Sequence, residues 1–433
     1  MKTKCFRAFA ALSLAVLLCI AMNFAAFLID SDSMRENVHK AMVKFSAEGA
    51  TPQLVGGYKS AQLDNFTAVL MIKTAAYNGP ESLTHKAFGG LRLDLPGKEG
   101  QSAWDAFCTY TDNLENAYGG LAYARYWHGY TLPLRILFCL FDASNIQMLL
   151  CFAQLLLFTV VCLLAFRRCA RALPGFLVAF FLLMPAATGT CLQYAPVTLL
   201  MLLACVLVLA ADRQIEAAIG MPAYFVLTGL LTNYFDLLTF PLITLGFPLL
   251  FLVCLRLRST DVSALQIAKE GVLCSIGWGV GFSGMWALKF LLCALCFGAD
   301  YFALILSQMT LRVSTHSGGV DFSRWDAVRI NLDIILFKAG YLAVLLLGAA
   351  ASFAVSAGAF AVRIRRREAV KPDLRALLLL LPAIIPILWF MVMSNHSLDH
   401  TYYTYRNATV CFFALLACPA HLTALPSSKE KTP

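Results

Sequence analysis

Charge is scarce in this sequence. Only 14% of its 433 residues are Asp, Glu, Lys or Arg, against about 25% in a soluble domain. Hydrophobic residues make up 60%. This balance excludes a water-soluble globule. Several runs approach the roughly 17–25 apolar residues needed to cross a bilayer, and because these runs are continuous rather than alternating, the spanning element is a helix and not a barrel strand. There is no Walker motif and no Gly-rich loop set between a strand and a helix, as a nucleotide site requires. An enzyme of this kind would need an activated substrate delivered through the membrane. No H-E-x-x-H occurs, no third ligand accompanies His396 and His400, and no metal site is expected. No internal repeat of the kind common in transporters is visible. A disulfide framework is missing too: the 15 cysteines sit mostly inside apolar runs, where they act as small hydrophobes, and the Cys293/Cys296 pair has no second pair to complete a metal site. The net charge of +9 reflects Lys and Arg gathered on cytoplasmic connections, so no nucleic-acid partner is implied.

What is present is an all-α polytopic membrane chain. A basic start (Lys2, Lys4, Arg7) precedes the first span, residues 8–28. Residues 29–145 form a large extracytoplasmic loop with interfacial helices, including a short apolar stretch at 132–141. Its turn signals (Gly56-Gly57, Asn78-Gly79-Pro80, Gly89-Gly90) and its aromatics (Trp104, Phe107, Tyr110, Tyr118, Tyr123, Tyr126, Trp127) read as a compact unit with its own core. The first part of the membrane core is 146–297, a second outer loop is 298–331, and the rest of the core is 332–425. An outer motif at 394–407 interrupts that last part, and a tail at 426–433 ends the chain. Arginine clusters at Arg167, Arg168 and Arg171, at Arg256 and Arg258, and at Arg363 to Arg367 fall at alternate connections. The positive-inside rule then gives about ten spans, both termini cytoplasmic and a place in the cell membrane.

With that topology the unusual polar residues collect on the outer face. They are Asp64 and Asn65 in the first loop, the run Arg125-Tyr126-Trp127-His128 at its return to the membrane, Asp236, and the motif from Asn395 to Arg406, which holds His396, Asp399, His400, Tyr405 and Arg406. Lys289 lies within an apolar run, three residues from Trp286. Ionisable groups in such positions are costly unless paired or facing a polar cavity, which marks Asp236 and Lys289 as candidates. Each residue also has a plainer reading: Asp64 as one solvated carboxylate, Tyr126 and Trp127 as interface anchors, Asp399 and Arg406 as a mutual ion pair.

This layout, with Gln62 to Thr67, Tyr123 to Tyr130 and Asn395 to Arg406, resembles the GT-C superfamily of polytopic glycosyltransferases. The same segments are similar to a group of bacterial membrane proteins associated with surface-polysaccharide assembly. The resemblance implies a polyprenyl-phosphate-sugar donor, a glycan or lipid-linked acceptor, contact with membrane lipid and no cofactor. A carboxylate acts as general base; many members carry it close after the first span, where Asp32 stands here, so Asp64 and Asp32 both remain candidates. Arg125, His128, Lys289, His396, His400 and Arg406 would hold the lipid phosphate, and Asn65, Asp236 and Tyr405 would complete the substrate site. The alternative from another class is a flippase or transporter with Asp236 and Lys289 along its path.

Overall fold

In the computed structural model, residues 2–94, 100–110, 118–119, 123–366 and 372–422 are described. The expected tail at 426–433, Arg367 and the Tyr118 side chain lie outside them. The chain is nearly all helix: α1 (Lys2–Ala26), α2 (Arg35–Glu48), α3 (Asn65–Ala76), α4 (Leu83–Gly89), α5 (Ala103–Cys108), α6 (Thr131–Leu140), α7 (Ala143–Cys169), α8 (Leu173–Leu182), α9 (Pro185–Thr190), α10 (Ala195–Ala218), α11 (Met221–Phe235), α12 (Ile243–Leu257), α13 (Ala264–Phe297), α14 (Ala299–Val313), α15 (Arg324–Leu336), α16 (Ala339–Arg365), α17 (Ile384–Val392), α18 (Ser394–Asp399), α19 (Thr401–Thr404) and α20 (Thr409–His421). A 3-10 segment, Leu374–Ala383, leads into α17. The only strands among the described residues are two short antiparallel pairs, Leu93–Asp94 with Tyr118–Gly119 and His316–Ser317 with Val320–Asp321.

Local sequence sets where these helices start. Pro174, Pro185, Pro196 and Pro222 stand in the first turns of α8, α9, α10 and α11, where proline loses no hydrogen bond. Ser263 and Ser323 close capping boxes on α13 and α15, and Asp64 and Asp142 cap α3 and α7, each satisfying backbone donors that the helix cannot.

Among the described residues six segments are long and apolar enough to cross a membrane: Thr3–Ala26, Ala143–Leu182, Ala195–Ala218, Ala264–Phe297, Ala339–Arg365 and Leu374–Val392. The expected count of about ten is not reached by these six; shorter apolar helices, Thr131–Leu140 and Ile243–Leu257 among them, stand beside them. In α12 every residue but Arg256 is buried; at about 1.5 Å per residue, its 15 residues extend only about 22 Å. By contrast α1, α7 and α16 expose rows of Leu, Phe and Met, such as Phe9, Phe152, Leu156 and Leu347, the surface a bilayer would cover.

The segment between α1 and α6 is folded. Helices α2 and α3 pack Val38, Phe45, Val69 and Ile72 into the main core, together with Met34 just before α2. Arg135 of α6 is buried and donates to the carbonyls of Ala26 (3.1 Å) and Tyr77 (3.3 Å), fixing this unit to the end of α1. The motif at 394–407 is not an open connector. Its residues form α18, α19 and a 3-10 turn, Tyr405–Ala408, and are largely buried in the bundle.

Candidate functional site

Asp64 has the position of a helix cap. Its carboxylate accepts from Thr67 N at 2.8 Å and Thr67 Oγ1 at 2.9 Å. A cap needs nothing more, yet Oδ2 also accepts the hydroxyl of Tyr402 at 3.2 Å, a residue 338 positions away in the interior motif. The carboxyl is 4% exposed. Burial holds its pKa above the usual carboxylate range, against the hydrogen bonds from Thr67 and Tyr402 that favour the charged form.

From Tyr402 an aromatic array runs to the two histidines. The rings of Tyr402 and His400 are 6.2 Å apart, His400 stacks on Tyr403 at 5.2 Å, and His396 and His400 are 4.9 Å apart. Both histidines face one guanidinium. Arg312, at the end of α14, places Nη1 2.8 Å from His396 Nδ1 and 3.1 Å from His400 Nε2. Arginine only donates, so both ring nitrogens are acceptors and both imidazoles are neutral. That fixes the tautomer of His396: its proton is on Nε2, which donates to the Leu238 carbonyl at 2.7 Å. The electrostatics agree. Burial, the neighbouring imidazole and Arg312 hold His396 well below its ordinary pKa, and burial with Arg312 lowers His400 to about 4.

The two histidines, expected among the groups that hold the lipid phosphate, are thus neutral here: the cation is Arg312, and the histidines brace it. Among the described residues Arg312 has no carboxylate partner, and the only hydrogen bonds it makes are those from Nη1. With Arg125 it lines a cavity of about 220 Å³ whose wall is otherwise mainly apolar, including Tyr126, Trp286, Phe290, Ile305 and Met309. Arg125 lies over the rings of Tyr123 (4.9 Å) and Tyr126 (5.1 Å). Tyr123 is within electrostatic reach of Asp64, Arg125 and Arg312 together, so carboxylate and guanidinium groups share one neighbourhood.

Asp236 shapes this neighbourhood without entering it. Both its oxygens accept from Thr239 N at 3.0 Å, and Thr239 Oγ1 donates to Oδ1. This turn carries Leu238, a non-glycine residue at φ 63°, whose carbonyl receives His396. Burial pushes the Asp236 carboxyl up to about 7.

The other expected site residues are held in contacts within the fold. Arg406 is fully buried, with Nε, Nη1 and Nη2 on the carbonyls of Leu183 (2.8 Å), Tyr402 (2.9 Å) and Ser60 (2.8 Å). It ties three elements together and does not pair with Asp399, which accepts from Ser317. Tyr405 donates to Leu182 O at 3.1 Å. Asn65 donates to Glu48 (3.2 Å) and to Gly49 O (3.0 Å). Lys289 donates to Phe88 O at 2.8 Å and sits over the rings of Phe88 and Trp127, joining α13 to α4. His128 adopts φ 56°. Its Nε2 donates to Tyr123 O (2.8 Å) and its Nδ1 accepts from Tyr130 (2.7 Å); burial first, then Lys289, lowers it to about 3, so it is not a cation either. Asp32 is exposed, pairs with Arg35 and lines a separate cleft of about 300 Å³ with Lys73, Tyr77 and Tyr110. Of the two candidate carboxylates, only Asp64 meets the interior motif.

Sequence reasoning missed Arg312, Leu238 and the contact made by Tyr402. Arg312 is a lone arginine ending an amphipathic helix, a common pattern, and Leu238 carries no chemical signal. Compared with protein-family models, curated proteins and solved structures, the chain matches none.

Proposed function

We propose that this protein is an integral membrane glycosyltransferase that moves a sugar from a polyprenyl-phosphate donor to a glycan or lipid-linked acceptor on the outer face of the membrane. The observation that carries this reading is Arg312: a guanidinium braced by two neutral imidazoles, without a counter-ion among the described residues, lining a mainly apolar cavity and within electrostatic reach of the same tyrosine, Tyr123, as the buried Asp64. A fixed cation of this kind stabilises a phosphate leaving group as negative charge develops on it, and arginine matches phosphate geometry. The apolar wall suits the first isoprene units.

In this mechanism Asp64 takes the proton of the acceptor hydroxyl, a role supported by the hydroxyl that its Oδ2 already accepts from Tyr402. The acceptor oxygen forms its bond to the anomeric carbon. The bond from that carbon to the phosphate oxygen breaks, and its electron pair leaves on a phosphate held by Arg312 and Arg125. The raised pKa of Asp64 suits a general base, since proton transfer is most efficient when the pKa lies near the working pH.

The transporter reading needs Asp236 and Lys289 on a shared polar path. Each instead binds neighbouring backbone, one in a turn and the other against α4. The two readings separate in proteoliposomes supplied with a panel of radiolabelled polyprenyl-phosphate sugars. Release of free polyprenyl phosphate with label in a new product supports the transferase. Movement of intact labelled lipid across the bilayer, with no bond cleaved, overturns it.

A further inference from the structure

The end of the bundle opposite Asp64 holds a larger cavity, of about 650 Å³, between the ends of α7, α10 and α12. Beside it α10 is kinked at Ala211, which leaves helical geometry (φ −134°, ψ 25°). The next residue, Asp212, accepts from Arg168 at 2.8 Å and from Arg256 at 3.2 Å, and Arg256 also grips Glu270 at 2.8 and 2.9 Å. These two acids clamp four helices, α7, α10, α12 and α13, and both oxygens of each are used in doing so. Arg167, Arg213 and Arg258 also line the cavity and have no carboxylate partner among the described residues. A second cavity of about 290 Å³ shares Arg167, Arg168 and Arg258 and adds Arg171 and the exposed ring of Phe166.

We infer that this cavity binds the phosphate-bearing headgroup of an anionic phospholipid. The chemistry is that of phosphate recognition: several guanidinium groups held apart by a rigid clamp, with an excess of positive charge. Phe166 and Leu163 argue for a lipid rather than a soluble phosphate. They are exposed apolar residues on α7 beside the arginines, so a headgroup seated there leaves its acyl chains along the same helix. Basic pockets between transmembrane helices are suited to anionic headgroups. Arg167 and Arg213 are the residues to test, because neither belongs to the clamp.

The test uses the full chain, delipidated and returned to nanodiscs of phosphatidylcholine with a minor fraction of phosphatidylglycerol, with retained lipid counted by native mass spectrometry. The wild type should retain phosphatidylglycerol selectively. The R167Q/R213Q double variant should retain it about 30-fold more weakly, R167K/R213K should recover much of the difference, and R329Q, outside both cavities, should match the wild type. Equal retention of both lipids, or no loss in R167Q/R213Q, overturns the site. Thermal protection by inorganic pyrophosphate in lipid-free protein, without selective lipid retention, overturns the lipid assignment in favour of a soluble phosphate ligand.

Discussion

At the scale of single residues, buried charge separates candidates that look alike in sequence. Arg312 and Arg406 are both arginines of polar segments between apolar helices. Arg406 spends all three nitrogens on carbonyls and holds three elements together, so R406Q strands buried acceptors and should cost about 3 kcal/mol or more, read as a lower melting temperature in detergent. R312Q removes a cation from a cavity edge and should leave the fold intact while weakening lipid-phosphate binding. Titration provides a second check. Folding lowers the pKa of His400 from about 6.5 to about 4, so the folded state binds fewer protons than the unfolded state across that window. The stability this contributes is complete above pH 6.5 and is lost as the pH falls through about 4. H400N should flatten the acid limb of a melting-temperature profile. Asp64 has the opposite sign: its raised pKa makes ionisation a cost that appears as the pH rises through the folded value. D64N should therefore melt higher than wild type at neutral pH, and the gain should vanish in acid, where the carboxyl is protonated in both states.

At the scale of elements, the sequence made the membrane helices and their caps legible, because apolar runs and Ser, Asp or Pro at helix starts act locally. It did not reveal which polar residues meet. Asp64 with Tyr402, and Arg312 with His396, depend on α18 and α19 folding inward, and on a turn in which Leu238 takes a left-handed conformation. None of that is encoded within a short window. Helix contacts were equally hidden. A Cβ on Gly229 would lie 2.1 Å from Trp278 O, and one on Gly281 2.0 Å from Val226 O, so α11 and α13 pack backbone to backbone, as small residues allow in membrane bundles. G281V should separate them and sharply reduce the yield of folded protein, visible as loss of the monodisperse peak in detergent chromatography. The same change at Gly271, where a Cβ meets nothing, should have little effect.

At the scale of the whole molecule, charge and polarity divide the protein into two ends. Lys4 pairs with Glu216 at 2.6 Å, and His421 lines a cavity with Arg171 and Arg258, so both ends of the described chain meet the arginine-rich face. The buried carboxylate, the braced arginine and the apolar cavity lie at the other. Hydropathy marked apolar helices of a multi-pass membrane chain, but it cannot tell a helix surrounded by lipid from one, like α12, surrounded by protein. The division into a basic end and the end that holds Asp64 and Arg312 is the frame of the functional account, and its centre is the placing of these two groups around Tyr123. The most direct measurement compares D64N and R312Q with wild type in sugar transfer from a polyprenyl-phosphate donor in proteoliposomes, resolved into kcat and KM. The account predicts that D64N lowers kcat by about 10²–10⁴-fold with KM for the donor unchanged, as loss of a general base should, while R312Q raises KM for the donor and lowers kcat. Transfer by D64N at the wild-type rate would contradict it.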